Sequence, residues 1–440
     1  MKNLCFLFFL LFLPNVYAQN TNKIYTEDID NFWIAYDKVI QADSYSEKIA
    51  IINKFYIEPG SRGLHAFMTA RDYNDSLYIN LIEAYPKFWD SVRPNTLSIK
   101  NKLQDLEMAV QKLEEIYPGL DAAEMYFTIG GLRSGGTVSE NMVLVGAEIA
   151  TADSLTDVSE FENGWLKSVF ARQSLDNIVY LNVHEYIHTQ QTGYGSTVLN
   201  KSIHEGACDF IAELVLDEPI HTQYLDYGKA NAELVKSRFE IQMFSDNTSN
   251  WLYNGGQMGE MADLGYYVGY EICKSYFTNA SNKSQAIKDI IELDLDNDEA
   301  VIEFLDRSMY FKERVDREKL LALYAKECPE ILGILPFENG SLEVDPLIDE
   351  LKISFSKEMV SGSMSISFSE DGEQSVSEKA KSNMPIKNVK GYENKDKTLV
   401  LGLNLEPNRK YEFLITNKSF KSKDGYPLAS ESYLIYFSTK

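Results

Sequence analysis

The sequence predicts an α+β protein: a mainly helical domain that holds a small sheet, followed by an all-β domain. From about residue 27 to 330, apolar residues recur three and four apart, as in NKLQDLEMAVQKLEEIY (101–117) and EKLLALYAKE (318–327), the spacing of one helix face. Inside that stretch, AEMYFTIGGLRSGGTVSENMVLVGAEIA (123–150) has β-branched and aromatic runs broken by glycine pairs, which predicts short strands joined by a Gly-rich turn. After residue 346 the period changes to two. Ile353 and Phe355, then Met364, Ile366 and Phe368, then Leu399, Leu401 and Leu403 fall on alternate positions. Roughly 95 residues of such short strands, with Asp424-Gly425 as a turn, predict a β-sandwich.

A chain of 440 residues exceeds one domain of about 100–200, so two folded units are expected. Its 44% hydrophobic content, with 27 Tyr and 23 Phe, is that of a folded globular protein. The opening MKNLCFLFFLLFLPNVYA has one lysine, an apolar run and a Val-Tyr-Ala end, the layout of a secretory signal peptide. The apolar run is too short to span a bilayer. The expected organisation is therefore a signal peptide at 1–18, a helical domain at 19–338 and a β-domain at 346–440. Export to the periplasm, cell surface or medium follows, with no membrane-spanning segment once the leader is removed.

The formal charge is −24, and loss of Lys2 with the leader leaves 41 basic against 66 acidic residues, or −25. So acidic a surface repels phosphate backbones and argues against a nucleic-acid partner. Of four cysteines, Cys208, Cys273 and Cys328 survive maturation, and their odd number and wide spacing predict small buried hydrophobes rather than a disulfide framework.

The chemistry concentrates in VHEYIHTQQ (183–191). On a helix, residues four apart lie about 40° apart around the axis, so His184 and His188 project from one face. Leu175, Val179, Val183 and Ile187 form an apolar ladder on the neighbouring face that anchors the helix in a core. Glu185, rotated by about 100°, suits a base acting on water rather than a ligand. Two neutral nitrogen ligands and one base are what zinc hydrolysis needs. A third ligand must come from elsewhere. Tyr194 and Gln191 stand where a metzincin would have His and Gly, so that arrangement is excluded. Gly193 and Gly195 in TGYGS end the helix, and LNKSIHEGACDFIAELVLDEP starts a second near Leu199 that packs antiparallel and returns Glu205 toward the histidines.

With His184, Glu185 and His188 followed by Glu205 and, one turn on, Asp209, the chain resembles the gluzincin metallopeptidases. The segment IHEGACDFIAE also looks like the EGxxDF stretch of bacterial predicted zinc proteases, one family of which is related to a gliding-motility lipoprotein. The resemblance covers about residues 123–275. It implies a zincin-like fold, Zn²⁺ held by His184, His188 and Glu205, and Glu185 as general base. It also implies that Asp209 orients a ligand histidine from behind. Sixteen residues separate His188 from Glu205, somewhat fewer than in thermolysin-like enzymes, and a shorter turn accounts for the difference. His204, beside Glu205, is the competing ligand but points about 100° away.

The family's oxyanion donor is a Tyr or His downstream of the third ligand. In MADLGYYVGYEICKSYF (261–277) Tyr266 is preferred, ahead of Tyr270 and Tyr267. The family's edge strand, which pairs with the substrate backbone, is expected near 141–148. No aminopeptidase Gly-x-Met-x-Asn signature is evident, which favours an endopeptidase acting on a peptide or protein. Segment 346–440, with its FSxxM, LxPxxxY and FxT elements, resembles a bacterial Ig-like domain, implying a spacer or a module that contacts cell-surface components. The alternative to a peptidase is a non-catalytic cell-envelope or motility-associated binding protein that keeps the metallopeptidase fold. Dependence on Glu185 separates the two.

Overall fold

The computed structural model describes residues 23–162, 164–171, 174–255, 261–362, 364–367 and 384–440. The leader expected at 1–18 lies outside the described residues, as does Phe368. Along the chain run β1 (Ile24–Tyr25), α1 (Glu27–Val39), α2 (Tyr45–Ile52), α3 (Arg62–Arg71), α4 (Asp75–Ala84), α5 (Pro86–Ser98) and α6 (Leu103–Ile116). Then come β2 (Glu124–Thr128), β3 (Gly136–Ser139), β4 (Met142–Gly146), α7 (Ala147–Ala150), α8 (Gly164–Phe170), α9 (Ile178–His188) and α10 (Val198–Leu216). Next are α11 (Gln223–Ala230), α12 (Ala232–Gln242), α13 (Leu264–Asn279), α14 (Lys283–Ile291), α15 (Asp298–Ser308) and α16 (Arg317–Glu327). Among the described residues the strands that follow are β5 (Ile331–Leu335), β6 (Glu350–Phe355), β7 (Ile366–Ser367), β8 (Ile386–Glu393), β9 (Thr398–Leu403), β10 (Lys410–Thr416) and β11 (Ser432–Ser438). The class is α+β, with several small sheets, as the change of period predicts.

Two compact units divide the chain. The first takes the described residues of Met1–Gln191 with Ile211–Pro219 and Asn282–Glu292; the second takes Thr192–Phe210, Ile220–Ser281 and Leu293–Lys440.

In the first unit the helices before the sheet close over an aromatic core. Phe32 sits edge-on to Tyr56 at 5.2 Å, and Trp33, Tyr78, Phe88 and Trp89 complete the cluster, all nearly inaccessible. Each such side chain contributes roughly 1.5–3 kcal/mol on burial. The sheet order is β1-β2-β4-β3, with β1, β2 and β4 parallel and β3 antiparallel to β4. All five residues of β4 are buried, as expected for a strand paired on both sides, whereas all four of β3 are partly exposed. The expectation of an edge strand near 141–148 is therefore corrected: β4 is internal and β3 is the edge, because the chain adds β3 outside the strand that follows it. The helix ladder needs a second correction. Leu175 lies in a 3₁₀ turn, capped by the Ser174 side chain, and α9 begins only at Ile178.

The loop from β2 to β3, IGGLRSGG, is pinned from below. Tyr56 and Tyr78 donate their hydroxyls to the Ile129 carbonyl at 2.5 and 3.2 Å. The Glu148 carboxylate accepts the backbone N–H groups of Gly130 at 2.7 Å and Leu132 at 3.2 Å. Glu148 is wholly buried, and that burial pushes its carboxyl up to about 7 against the pull of those amides.

In the second unit α13 packs against α11, α12 and α15, with Tyr276 stacked on Phe304 at 4.3 Å. Among the described residues the C-terminal strands form the sheets β5-β6-β9-β8 and β11-β10-β7. Leu351, Ile353, Leu399 and Leu401 from one, with Phe413, Ile415, Ile435 and Phe437 from the other, share a single hydrophobic core. Alternate residues of β6 are buried, as the two-residue period requires. All three described cysteines are buried and none is in a disulfide.

Candidate functional site

The histidine helix α9 is fastened at its C-terminal end. Tyr186, fully buried, accepts the backbone N–H of Ala123 on its hydroxyl at 2.8 Å. The Gln190 amide closes a two-way pair with the backbone of Asp121, accepting its N–H at 2.8 Å and donating to its carbonyl at 3.0 Å. Both contacts grip the segment that feeds β2, so the helix is fixed to the sheet before any side chain of the motif is considered.

One turn apart on this helix, buried His184 and half-buried His188 turn their Nε2 atoms toward each other, 3.1 Å apart, with the rings edge to face. His188 Nδ1 lies 2.7 Å from the Gln191 side-chain oxygen. That oxygen can only accept, so the proton sits on Nδ1 and Nε2 carries the lone pair. Two nitrogens at about 2.0–2.1 Å from one tetrahedral ion would stand about 3.3 Å apart. The pair thus fits shared coordination of zinc. Glu185 sits against β3: a Cβ built on Gly136 would lie 3.2 Å from its Oε1. The acid is therefore next to the sheet edge, and a bulkier residue at 136 would crowd it.

In the second unit α10 carries Glu205, 6% exposed, and Asp209, 0% exposed. The Tyr253 hydroxyl donates to Glu205 Oε1 at 2.6 Å, and the hydroxyls of Tyr253 and Tyr194 lie 2.6 Å apart. Asp209 accepts the Tyr224 hydroxyl at 2.9 Å. His204 Nδ1 stands 3.6 Å from Glu205 Oε1, its ring edge-on to Tyr194. Tyr266 packs between Tyr224 and Tyr253, with ring centroids 5.3 and 6.5 Å away. Burial, then the charge of Glu205, pushes its hydroxyl well above the usual tyrosine range. Tyr270 is buried beside Phe210, and Lys274 donates to its hydroxyl at 2.7 Å.

The glycines of the two motifs have one common cause. A Cβ on Gly206, next to Glu205, would strike the backbone of Gly269 and Tyr270, and one on Gly269 would strike that of Ser202. A Cβ on Gly265 would meet Ser202 Oγ at 2.8 Å. Gly265 and Gly269 on α13 thus lie one turn apart against Ser202 and Gly206 on α10, a backbone-to-backbone crossing that only small residues allow. This close approach sets Tyr266 beside Glu205.

Three residues of these clusters were not expected from sequence. Gln191 stands three after His188, a spacing that marks a same-face neighbour. Glu148 has no motif. Tyr253 sits in an irregular segment with its backbone in the left-handed region, φ 58°, and no periodicity points to it.

Residues 165–296, which include the histidine pair, Glu205, Asp209 and Tyr266, match a family model described as "Predicted Zn-dependent protease (DUF2268)". No curated protein matches the chain. Among solved structures it is similar to the S-layer protein rSbsC(31-844), at 10% identity and TM-score 0.18 over 62% of this chain and 36% of that one. The N-terminal part of the S-layer protein SbsC gives 10% identity and TM-score 0.17 over 94% and 71%. So low a structural agreement says nothing about this fold. The family match supports a zinc-dependent protease, and no helix among the described residues is long and apolar enough to cross a membrane.

Proposed function

We propose that this chain is an exported, gluzincin-type zinc metallopeptidase that acts as an endopeptidase on peptides or proteins. The observation that carries the reading is on α9: two Nε2 atoms face each other at 3.1 Å, and the same helix sets Glu185 against the edge strand β3. His184, His188 and Glu205 would hold the metal. When bound, zinc would supply Lewis acidity, polarising the scissile carbonyl and making water acidic enough to attack near neutral pH. The remaining steps belong to the chain itself. Glu185 accepts the proton of the attacking water and delivers it to the leaving amine. Gln191 keeps His188 in one tautomer. The partly exposed strand β3 pairs with the substrate backbone, so the bond to be cut lies beside Glu185. Tyr266 donates to the oxyanion that develops on the substrate carbonyl. Asp209, held by Tyr224, supports a ligand histidine from behind. The C-terminal strands form an Ig-like module that contacts cell-surface components.

The test is cleavage of a diverse peptide library with zinc present, by the wild type and by Glu185→Gln. Loss of a general base should lower turnover by about 100- to 10,000-fold while zinc binding persists. If both proteins fold and bind zinc but neither cuts, the peptidase reading fails and a binding role in the cell envelope replaces it. Equal cutting by both would remove Glu185 from the mechanism.

A further inference from the structure

We infer that the 422–426 turn of the C-terminal β-region is a positioning element for Tyr253, and through Tyr253 for the Glu205 carboxylate. The turn closes on itself, Gly425 N–H donating to the Ser422 carbonyl and Ser422 N–H to that of Tyr426, each at 2.8 Å. It meets the helical part of its own unit through residues 242–250. Gln242, at the end of α12 and 3% exposed, is the hub of this meeting. Its Nε2 donates to the Tyr426 hydroxyl at 3.3 Å, while its Oε1 accepts both the Asn250 amide and the Trp251 indole N–H at 3.0 Å. Asn247 donates to the Gly425 carbonyl at 3.3 Å, and Asn250 to that of Asp424 at 3.4 Å.

Position 425 must be glycine for two independent reasons. Its φ is 86°, and a Cβ there would land inside the Asn250 side-chain amide. The contact therefore transmits displacement directly. From Asn250 the chain reaches Tyr253 in three residues, all held: Trp251 is buried edge-on to Phe239, its carbonyl accepts the Gly265 N–H at 2.7 Å, and Leu252 is 1% exposed. Tyr253 itself is 53% exposed. A bulky residue in the left-handed region stays there only when its surroundings impose it; the tether holds the residues before it, and Asn254, paired both ways with Asp263, holds the one after. The hydroxyl then arrives 2.6 Å from Glu205 Oε1. The β-region is thus more than a spacer: it completes the support of a proposed metal ligand.

The consequence for catalysis rests on the zinc-peptidase reading, but the positioning does not. The experiment uses the whole chain labelled with 3-fluorotyrosine, the Tyr253 signal being assigned as the one lost in Tyr253→Phe. Gly425→Ala presses on Asn250 from the β-region, and Asn250→Ala removes the same contact while leaving that region untouched. Both should shift the Tyr253 signal, and both should weaken zinc binding by about tenfold, the low end of what loss of a ligand's supporting partner costs. Adding Tyr253→Phe to either should weaken zinc binding no further. A Tyr253 signal unmoved by both variants overturns the inference whatever the peptidase assay gives, as does a zinc loss that multiplies with Tyr253→Phe. A wild type that cuts no peptide overturns the proposed function alone.

Discussion

Two buried glutamates of this molecule, Glu148 in the first unit and Glu205 in the second, are held in opposite ways. Glu148 accepts two backbone N–H groups of the Gly130–Leu132 loop, donors that cannot leave without unfolding it. Glu205 accepts a phenol from an exposed tyrosine on an irregular segment. A carboxylate tied to backbone amides is a structural clamp. One oriented by side-chain donors can take a cation while they hold it in place, which is what a metal ligand must do.

The sharpest way to break this comparison is Glu205→Gln. The amide keeps an acceptor for Tyr253, so zinc-free stability should change by less than about 1 kcal/mol. Zinc affinity should fall beyond the roughly 10–100-fold that an outer partner controls, as read by chelator competition. A large loss of stability with zinc binding intact would make Glu205 a second clamp.

The pH dependence of stability tests Glu148. Its carboxyl is raised from the ordinary 4.5 to about 7, so the folded chain holds this proton more tightly than the unfolded chain does. Stability from this group is full below about 4.5 and is lost as pH rises through about 7, by about 3 kcal/mol. Denaturant titrations at pH 4.5 and 7.5 should show that fall in the wild type and not in Glu148→Gln.

Gly206→Ala should cost about 1–3 kcal/mol, read from the same titrations, by forcing α10 and α13 apart. It should also disturb Tyr266 beside Glu205. At the small end, Lys390→Ala on β8 removes an exposed ion pair with Glu350 on β6 and should leave the denaturation midpoint within error of the wild type.

Much of the local structure was legible because it depends on spacing along the chain. The apolar period of 101–117 became α6, the alternation of 350–355 became β6, and the two histidines four apart share a helix face as they must. The edge strand was misplaced because strand order is a non-local property: β3 and β4 are neighbours in either order, and only β2, already paired to β4, forces β3 outward. Tyr253 is not legible in the sequence for a related reason. It belongs to no periodic element, and what holds it comes from the 422–426 turn, more than 160 residues away in sequence.

The sequence by itself determined element types, the facing histidines with an acid between them, and the zinc chemistry those residue types permit, since each follows from helix or strand geometry over a few residues. The tertiary structure alone decided which strand is left open beside Glu185, why Gly206 and Gly269 must be glycine, and which tyrosine donates to Glu205. Those outcomes depend on surfaces brought together from distant parts of the chain, where close packing leaves room for one side chain and excludes the next.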